Sequence, residues 1–410
     1  MRFLHTADWH LGRTLNGIPL LEDQAHALDQ LVDAAAQADL DAIVLAGDVF
    51  DLAVPSPRAI ELFDDLVHRL VVGCGLPMLV IAGNHDDPVR LAAHARLLGD
   101  KGLHIAGPLA RPVTCVDIAS RQGTVTRFHL LPFADPAFVR STYGSEARDH
   151  AAAMAATLEH LDGDNKVARH VGVGHAFVSG GSESESERLI SVGQAGCVPA
   201  GGYFSCTPAM DYVALGHLHR PQTVGRDAVR YSGSPLKYSQ SEAGDDKGFG
   251  IVDLTSEAVA YEHVAITPQR EVREIVATLE AVQAMEPSED LVFVTLTDDV
   301  PVLGAMAKVR AVFPNAVQVR REATRPTVRR LATKPVETQE TEADVVDTLP
   351  EVTEPPQRFD VKQLSDVELF TRFVREVADR ELTDDQRMTF AEAAAKVRAE
   401  ELGHATEEDA

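Results

Sequence analysis

The stretch Met78-Leu79-Val80-Ile81-Ala82-Gly83-Asn84-His85-Asp86 is an apolar run that stops in an amide, an imidazole and a carboxylate. Four other runs stop the same way, in Asp8-Trp9-His10, Gly47-Asp48, Gly174-His175 and Gly216-His217-Leu218-His219. Short apolar runs separated by helical stretches describe an α/β fold whose strands are covered on both faces. In such a sheet, ligands gather beyond the carboxyl ends of the strands. Each polar group here follows its run directly, so residues distant in sequence converge on one rim. Packing does not explain this joint pattern, whereas a site for two metal ions does.

Around these ends, strands are predicted at Arg2–Thr6, Ala42–Leu45, Met78–Ile81, Val171–Val173 and Tyr212–Leu215. Helices fit Leu21–Asp39 and Arg58–Val72; in the first, Ala27, Leu28, Leu31, Ala34 and Ala35 recur at helical spacing. After Leu215, Val229–Tyr231, Gly248–Leu254 and Ala258–Val264 read as strands of a more antiparallel sheet. Pro268 opens a second, small α/β unit. It reads as a helix over Val272–Met285, a strand over Leu291–Leu296, a helix over Val302–Phe313 and a strand over Ala316–Arg321.

Residues 335–358 lose periodicity and carry Glu337, Glu340, Glu342, Asp344, Asp347, Glu351 and Glu354, with Pro350, Pro355 and Pro356. This is the composition of a solvated acidic linker, with a binding tail as the alternative. Ser365-Asp366-Val367-Glu368 and Thr383-Asp384-Asp385-Gln386 are capping boxes that start two short helices. The first places Val367, Phe370, Val374 and Val377 on one face. That face needs a partner, either the main body or another protein.

The chain has 410 residues, of which 45% are hydrophobic, so two or three domains with ordinary cores are expected. Its net charge of −25 argues against a free-standing nucleic-acid binder, because affinity for a polyanion comes mainly from Lys and Arg. Either the substrate is small, or metal ions and a partner supply positive charge. The N-terminus has no signal-like apolar segment, and no apolar run is long enough for a membrane span. Cys74, Cys115, Cys197 and Cys206 form no CxxC pair, which predicts reduced thiols in a cytoplasmic protein.

Asp8 and His10 alternate around Trp9 and project to one side if the strand continues. Asp48 can bridge two cations with its two oxygens, and Gly47 beside it admits close backbone approach. Asn84 offers an amide oxygen, and His175, His217 and His219 offer imidazole nitrogens. This mixture suits manganese, iron or zinc better than the all-oxygen sites of magnesium or calcium. Two divalent ions outweigh the Asp8 and Asp48 carboxylates, and the surplus attracts a phosphodiester. Such ions lie about 3.5–4 Å apart and lower the pKa of a shared water. His85 is not needed as a ligand, and can protonate the leaving oxygen or stabilise developing charge. His26, His68, His94, His150 and His160 lack ligand spacing and read as surface or satisfied core residues.

These motifs resemble the calcineurin-like metallophosphoesterases. Gly47-Asp48-Val49-Phe50-Asp51, His175-Ala176-Phe177-Val178-Ser179-Gly180, and Leu215 through Pro221 followed by Tyr231 through Leu236 resemble the SbcD branch, nuclease subunits of bacterial SbcC–SbcD complexes. The resemblance covers residues 1 to about 265 well, 266–330 by layout and the C-terminal helices by position. It implies a four-layer α/β fold, a β-sandwich flanked by helices, with a small α/β capping domain and C-terminal partner-binding helices. The implied limits are 1–265 for the nuclease domain, 266–334 for the cap, 335–358 for the acidic linker and 359–403 for the helices.

The same resemblance implies one metal held by Asp8, His10, Asp48 and His219, and a second held by Asp48, Asn84, His175 and His217. It implies manganese as the metal and His85 as the catalytic histidine. The implied activity is DNA cleavage, with 3′–5′ exonuclease action on duplex ends and endonuclease action on single strands or hairpins, in repair, recombination and replication. The implied partner is an SbcC-type coiled-coil ATPase, in a heterotetramer containing a homodimer of the nuclease chain. Where archaeal and eukaryotic relatives often carry a phosphate-orienting histidine, this chain has Asp51, so that role is not carried over. Arg320, Arg321, Arg325, Arg329, Arg330 and Lys334 form a basic cluster, either a DNA contact or a solvated edge.

Two other readings compete. A phosphodiesterase or phosphatase for a small phosphoester is compatible with the charge, but the extra C-terminal units argue against it. A scaffold that only docks an ATPase leaves seven polar ligands near a core at considerable cost without metal.

Overall fold

The computed structural model describes residues 1–162, 167, 169–187, 198–255 and 258–322, together with Thr371, Thr383, Arg387 and Met388. The acidic stretch, nearly all of the C-terminal helices, Cys197, and Arg325, Arg329, Arg330 and Lys334 lie outside the described residues. The chain divides into two compact units, Met1–Thr327 and Val328–Ala410, and all elements below belong to the first.

The strands are β1 (Arg2–Thr6), β2 (Thr14–Leu15), β3 (Ile18–Pro19), β4 (Ala42–Leu45), β5 (Met78–Ile81), β6 (Leu103–Ala106), β7 (Cys115–Ala119), β8 (Val125–Leu131) and β9 (Arg169–His175). They continue as β10 (Tyr212–Gly216), β11 (Gln222–Val224), β12 (Arg226–Tyr231), β13 (Gly248–Leu254) and β14 (Val259–Ala265). Two six-stranded sheets result, ordered β14-β13-β1-β4-β5-β6 and β11-β12-β10-β9-β8-β7.

Alternation along each strand decides which layer a residue enters. Phe3, Val44, Leu79 and Ile81 of the first sheet meet Phe128, Val171, Val173 and Tyr212 of the second in one apolar core. Phe3 lies edge-on to Phe128 and Tyr212, with ring centroids 5.4 and 5.8 Å away. The intervening residues Leu4, Ile43, Leu45, Met78 and Val80 face the other way. They pack with Leu28 and Leu31 of helix Leu21–Gln37 and Leu66 of helix Pro57–Val67. On the far side of the second sheet, Val213, Leu215 and Tyr231 pack with Met154 and Leu158 of helix His150–Leu158. The layers run helix, sheet, sheet, helix, as the family resemblance implied.

Strands β1, β4, β5 and β6 are parallel, as are β8, β9, β10 and β12. The late strands do not form a separate antiparallel sheet. β13 and β14 extend the first sheet beside β1, and β12 joins the second beside β10.

A third, parallel sheet is built from β15 (Val272–Ala277), β16 (Leu291–Leu296) and β17 (Gln318–Arg321). Val272–Met285 is therefore not one helix. Its first half pairs with β16, and only Leu279–Gln283 is helical, capped by the Thr278 hydroxyl accepting from the Ala281 N–H. The misreading has a physical cause: Val272 and Ile275 are the buried residues of β15, and their three-residue spacing mimics a helical face. Val272, Leu291 and Phe293 also join the core beneath helix Leu21–Gln37.

Candidate metal centre

Each predicted ligand stands at the carboxyl end of a strand. Asp8 and His10 follow β1, Asp48 follows β4, and Asn84 and His85 follow β5. His175 ends β9, and His217 and His219 follow β10. Hydrogen bonds tie these loops together. The Asp8 N–H donates to the Gly47 carbonyl at 3.0 Å, the His10 N–H to the Asp48 carbonyl at 2.9 Å, and the His217 N–H to the Asp8 carboxylate at 3.0 Å.

The two sheets touch at this rim. A Cβ on Gly216 would lie 2.0 Å from the Ala46 carbonyl oxygen, and one on Gly47, where φ is 89°, would lie 2.4 Å from His175 Nδ1. Only glycine admits that approach. Asp8, His10, Asp48 and His217 have φ of 55°, 45°, 50° and 110°. Such backbone costs on the order of 1–3 kcal/mol per residue and persists where surrounding contacts enforce it.

The side chains form two groups that share a centre. His10 Nε2 and His219 Nε2 are 3.0 Å apart and close to Asp8. Asp8, Asp48 and His175 form the second group. Asn84 Oδ1 lies 2.9 Å from His175 Nε2 and 3.1 Å from His217 Nδ1. Asp48 Oδ2 stands between, 3.5 Å from His10 Nε2 and 3.4 Å from His175 Nε2. Thus all seven ligand candidates come together. Asp8, His10, Asp48, His175, His217 and His219 are buried, while Asn84 and His85 are half-buried.

A third group, which sequence reasoning did not assemble, joins His10, Asp51 and His85. The Asp51 carboxylate pairs with Arg13 at 3.1 Å and lies 3.6 Å from His10 Nδ1. That nitrogen is buried and has no hydrogen-bond partner among the described residues.

The electrostatics test whether these residues suit a cation. Burial pushes the Asp8 carboxyl well above the usual aspartate range; His175 offsets part of this, and the Asp48 carboxylate adds to the push. Burial acts on Asp48 in the same direction, but His175 and His10 hold it well below that range. Burial drives His10 and His217 well below the usual histidine value. His175 differs: burial lowers it, but the Asp48 carboxylate outweighs this and raises it to about 9.

His175 Nδ1 donates to the Ala46 carbonyl at 2.8 Å, which turns Nε2 towards Asp48 and Asn84. Imidazole nitrogens, an amide oxygen and carboxylates converging away from water are a donor set for divalent cations. Burying them without one is costly. The residues fit a dinuclear divalent centre.

Several supports were not legible as functional residues. The buried Asp86 carboxylate accepts from the backbone N–H groups of Gly83, Val49 and Phe50 at 2.9, 3.2 and 3.0 Å, clamping the Asp48 loop to the Asn84 loop. Buried Gln24 donates to the Trp9 and His10 carbonyls at 2.9 and 2.7 Å, fixing the first loop. Ser186, Glu187 and Glu242 surround His219. Ser186 and Glu187 belong to the alternating stretch Ser182 to Glu187, which carries no ligand spacing, and Glu242 is distant from it in sequence.

Residues 1–221 match the calcineurin-like phosphoesterase family. The chain belongs to that family, and is a metal-dependent phosphoesterase with a dinuclear divalent centre. It is 41% identical over 264 residues to the SbcD component of the nuclease SbcCD of Bacillus subtilis, a match covering 62% of this chain and 66% of that one. It is 32% identical over 328 residues to the same component from Staphylococcus saprophyticus, covering 77% of this chain and 84% of that one. Among solved structures, a dimetal phosphatase from Danio rerio aligns with a TM-score of 0.39 and 12% identity, over 65% of this chain and 97% of that one.

Proposed function

We propose that this chain is the nuclease component of an SbcCD-type complex, a manganese-dependent enzyme that hydrolyses DNA phosphodiester bonds together with an SbcC-type coiled-coil ATPase. The supporting observation is the convergence of seven metal-type ligands on one rim, in a chain 41% identical to a component of a nuclease of that name. Asp8, His10, Asp48 and His219 hold one cation, and Asp48, Asn84, His175 and His217 hold the other. Cations held by these residues would attract the phosphodiester and would make a bound water more acidic.

The chain's own groups supply orientation and a proton. His85 Nδ1 donates to the Asp51 carbonyl at 2.8 Å, which leaves Nε2 free to hold a proton for the leaving oxygen. The His85 backbone N–H donates to Asp48 Oδ1 at 2.9 Å, so the acid and the shared carboxylate are positioned together. The His85 ring packs edge-on to His10, with centroids 4.7 Å apart.

The activity comprises 3′–5′ exonuclease action on duplex ends and endonuclease action on single strands or hairpins. In the proposed layout, residues 1–265 form the nuclease domain and 266–334 the cap. The linker 335–358 carries helices 359–403 that dock the ATPase. The ATPase also answers the charge conflict, because a chain of net charge −25 needs a partner's basic groups to hold DNA. Arg320 bonds Thr295 and Glu274, and Arg321 donates to the Asp298 and Asp299 carbonyls, which favours a solvated edge for those two residues. The assembly is a heterotetramer containing a homodimer of this chain, and it acts in the cytoplasm. Among the described residues, no helix is long and apolar enough to cross a membrane.

A small-phosphoester enzyme is not favoured, since both relatives are named as nucleases. The test is manganese-dependent cleavage of a hairpin-ended duplex, with and without the ATPase, beside His85→Ala. Cleavage that needs manganese and His85 and rises with the partner supports the proposal. Hydrolysis of only small phosphodiesters would move the protein to the other class.

A further inference from the structure

The loop Ser184–Glu187 and the turn containing Glu242 build a buried polar chain behind His219. Ser186 Oγ lies 2.5 Å from His219 Nδ1 and 2.5 Å from Glu242 Oε1. Glu242 is fully buried, and its other oxygen pairs with Lys247 Nζ at 2.6 Å. Ser239 Oγ donates to Glu242 Oε1 at 2.7 Å. Lys247 Nζ also donates to the His219 carbonyl at 2.6 Å, and the His219 N–H donates to Glu187 Oε1 at 2.8 Å. His219 is therefore gripped at its backbone N–H, its carbonyl and its ring.

Proton counting along this chain has one consistent solution. A carboxylate only accepts, and Ser186 has a single hydroxyl proton. That proton points at Glu242, whose charge is matched by Lys247. Ser186 then presents a lone pair to His219, so His219 Nδ1 carries the ring proton. The lone pair of His219 is left on Nε2, the nitrogen 3.0 Å from His10 Nε2 within the candidate centre.

We propose that Ser186 and Glu242 are positioning residues that hold His219 as its Nδ1–H tautomer, so that Nε2 is presented to the cation and the affinity of that site is set from behind. This rests on the reading of His219 as a metal ligand given above. Partners behind a ligating histidine fix its tautomer and orientation, and losing one typically costs about 10–100-fold in metal affinity.

The test uses the full chain and Mn²⁺ alone, with binding followed by electron paramagnetic resonance. The wild type is expected to bind two ions. In Ser186→Ala one site weakens by about 10–100-fold and the other is unchanged. Ser186→Thr, which keeps the hydroxyl, restores binding, while Ser186→Cys, of similar size but a poor donor, does not. Imidazole nitrogen-15 spectra of the metal-free wild type, with His219 assigned by its loss in His219→Gln, give a readout independent of folding in the serine variants; they are expected to show the proton on Nδ1. A proton on Nε2 instead, or two sites of unchanged affinity in Ser186→Ala, overturns the proposal while leaving the metal centre intact. A wild type that binds no Mn²⁺ overturns both.

Discussion

Asp86 carries no predicted metal role, yet the candidate centre depends on it. Its carboxylate takes three buried backbone N–H groups, from Gly83, Val49 and Phe50, and so joins the loop bearing Asp48 to the loop bearing Asn84 and His85. Asp86→Ala leaves all three donors without an acceptor. Each such buried donor costs about 1–3 kcal/mol, and entry of water keeps the sum near the lower bound, so the loss is about 3–5 kcal/mol. Asp86→Asn keeps the shape and one good acceptor oxygen, and is expected to cost about 1–2 kcal/mol. The catalytic consequence is separate: displacement of the Asp48 loop by about 1 Å costs on the order of 100-fold in rate. Urea unfolding of the metal-free protein measures the first quantity, and Mn²⁺-dependent hydrolysis of a chromogenic phosphodiester measures the second. The expected order in both is wild type, then Asn, then Ala. An alanine variant within about 1 kcal/mol of wild type and fully active would refute the clamp, since the net worth of even one such bond is about that large.

Gly83→Ala places a Cβ 2.1 Å from Asp48 Oδ1, so the shared carboxylate must move; hydrolysis should fall by roughly 100-fold with the circular dichroism spectrum kept. His85→Ala should lower kcat by about 10²–10⁴-fold while calorimetry still finds two Mn²⁺ ions per chain. A further prediction concerns pH. His5, fully buried and bonded to Tyr212 and Leu215, is lowered by burial to about 3. The folded state then binds fewer protons than the unfolded state between about pH 6.5 and that value, so His5 favours folding fully above 6.5 and progressively less as pH falls. Metal-free His5→Gln should therefore lose less stability between pH 7 and pH 4 than the wild type, by on the order of 3 kcal/mol. Parallel slopes for the two proteins would remove His5 from the acid response.

The fold and the site differ in how they were written into the chain. Ala42–Leu45 and Met78–Ile81 were legible to the residue because strands covered on both faces are continuously apolar, and Arg2–Thr6, with only Phe3 and Leu4 apolar, was legible because Asp8 and His10 follow it as ligands follow the others. β8 was not anticipated: Thr126, Arg127 and His129 interrupt its pattern, and the last two are buried through side-chain partners, Arg127 with Asp117 and His129 with His170, rather than apolar character.

By itself, the sequence determined the strands that lead to the candidate centre and the candidate ligands that follow them. Apolar run and ligand are adjacent in the chain, and the carboxyl ends of parallel strands share a rim, so local pattern was enough. Only the tertiary structure decided what stands behind those ligands. Ser186 meets His219 across 33 residues and Glu242 across 56, and Asp86 reaches Val49 across 37. Hydrogen bonds between groups so far apart depend on the whole chain path, and periodicity over a few residues carries no record of them.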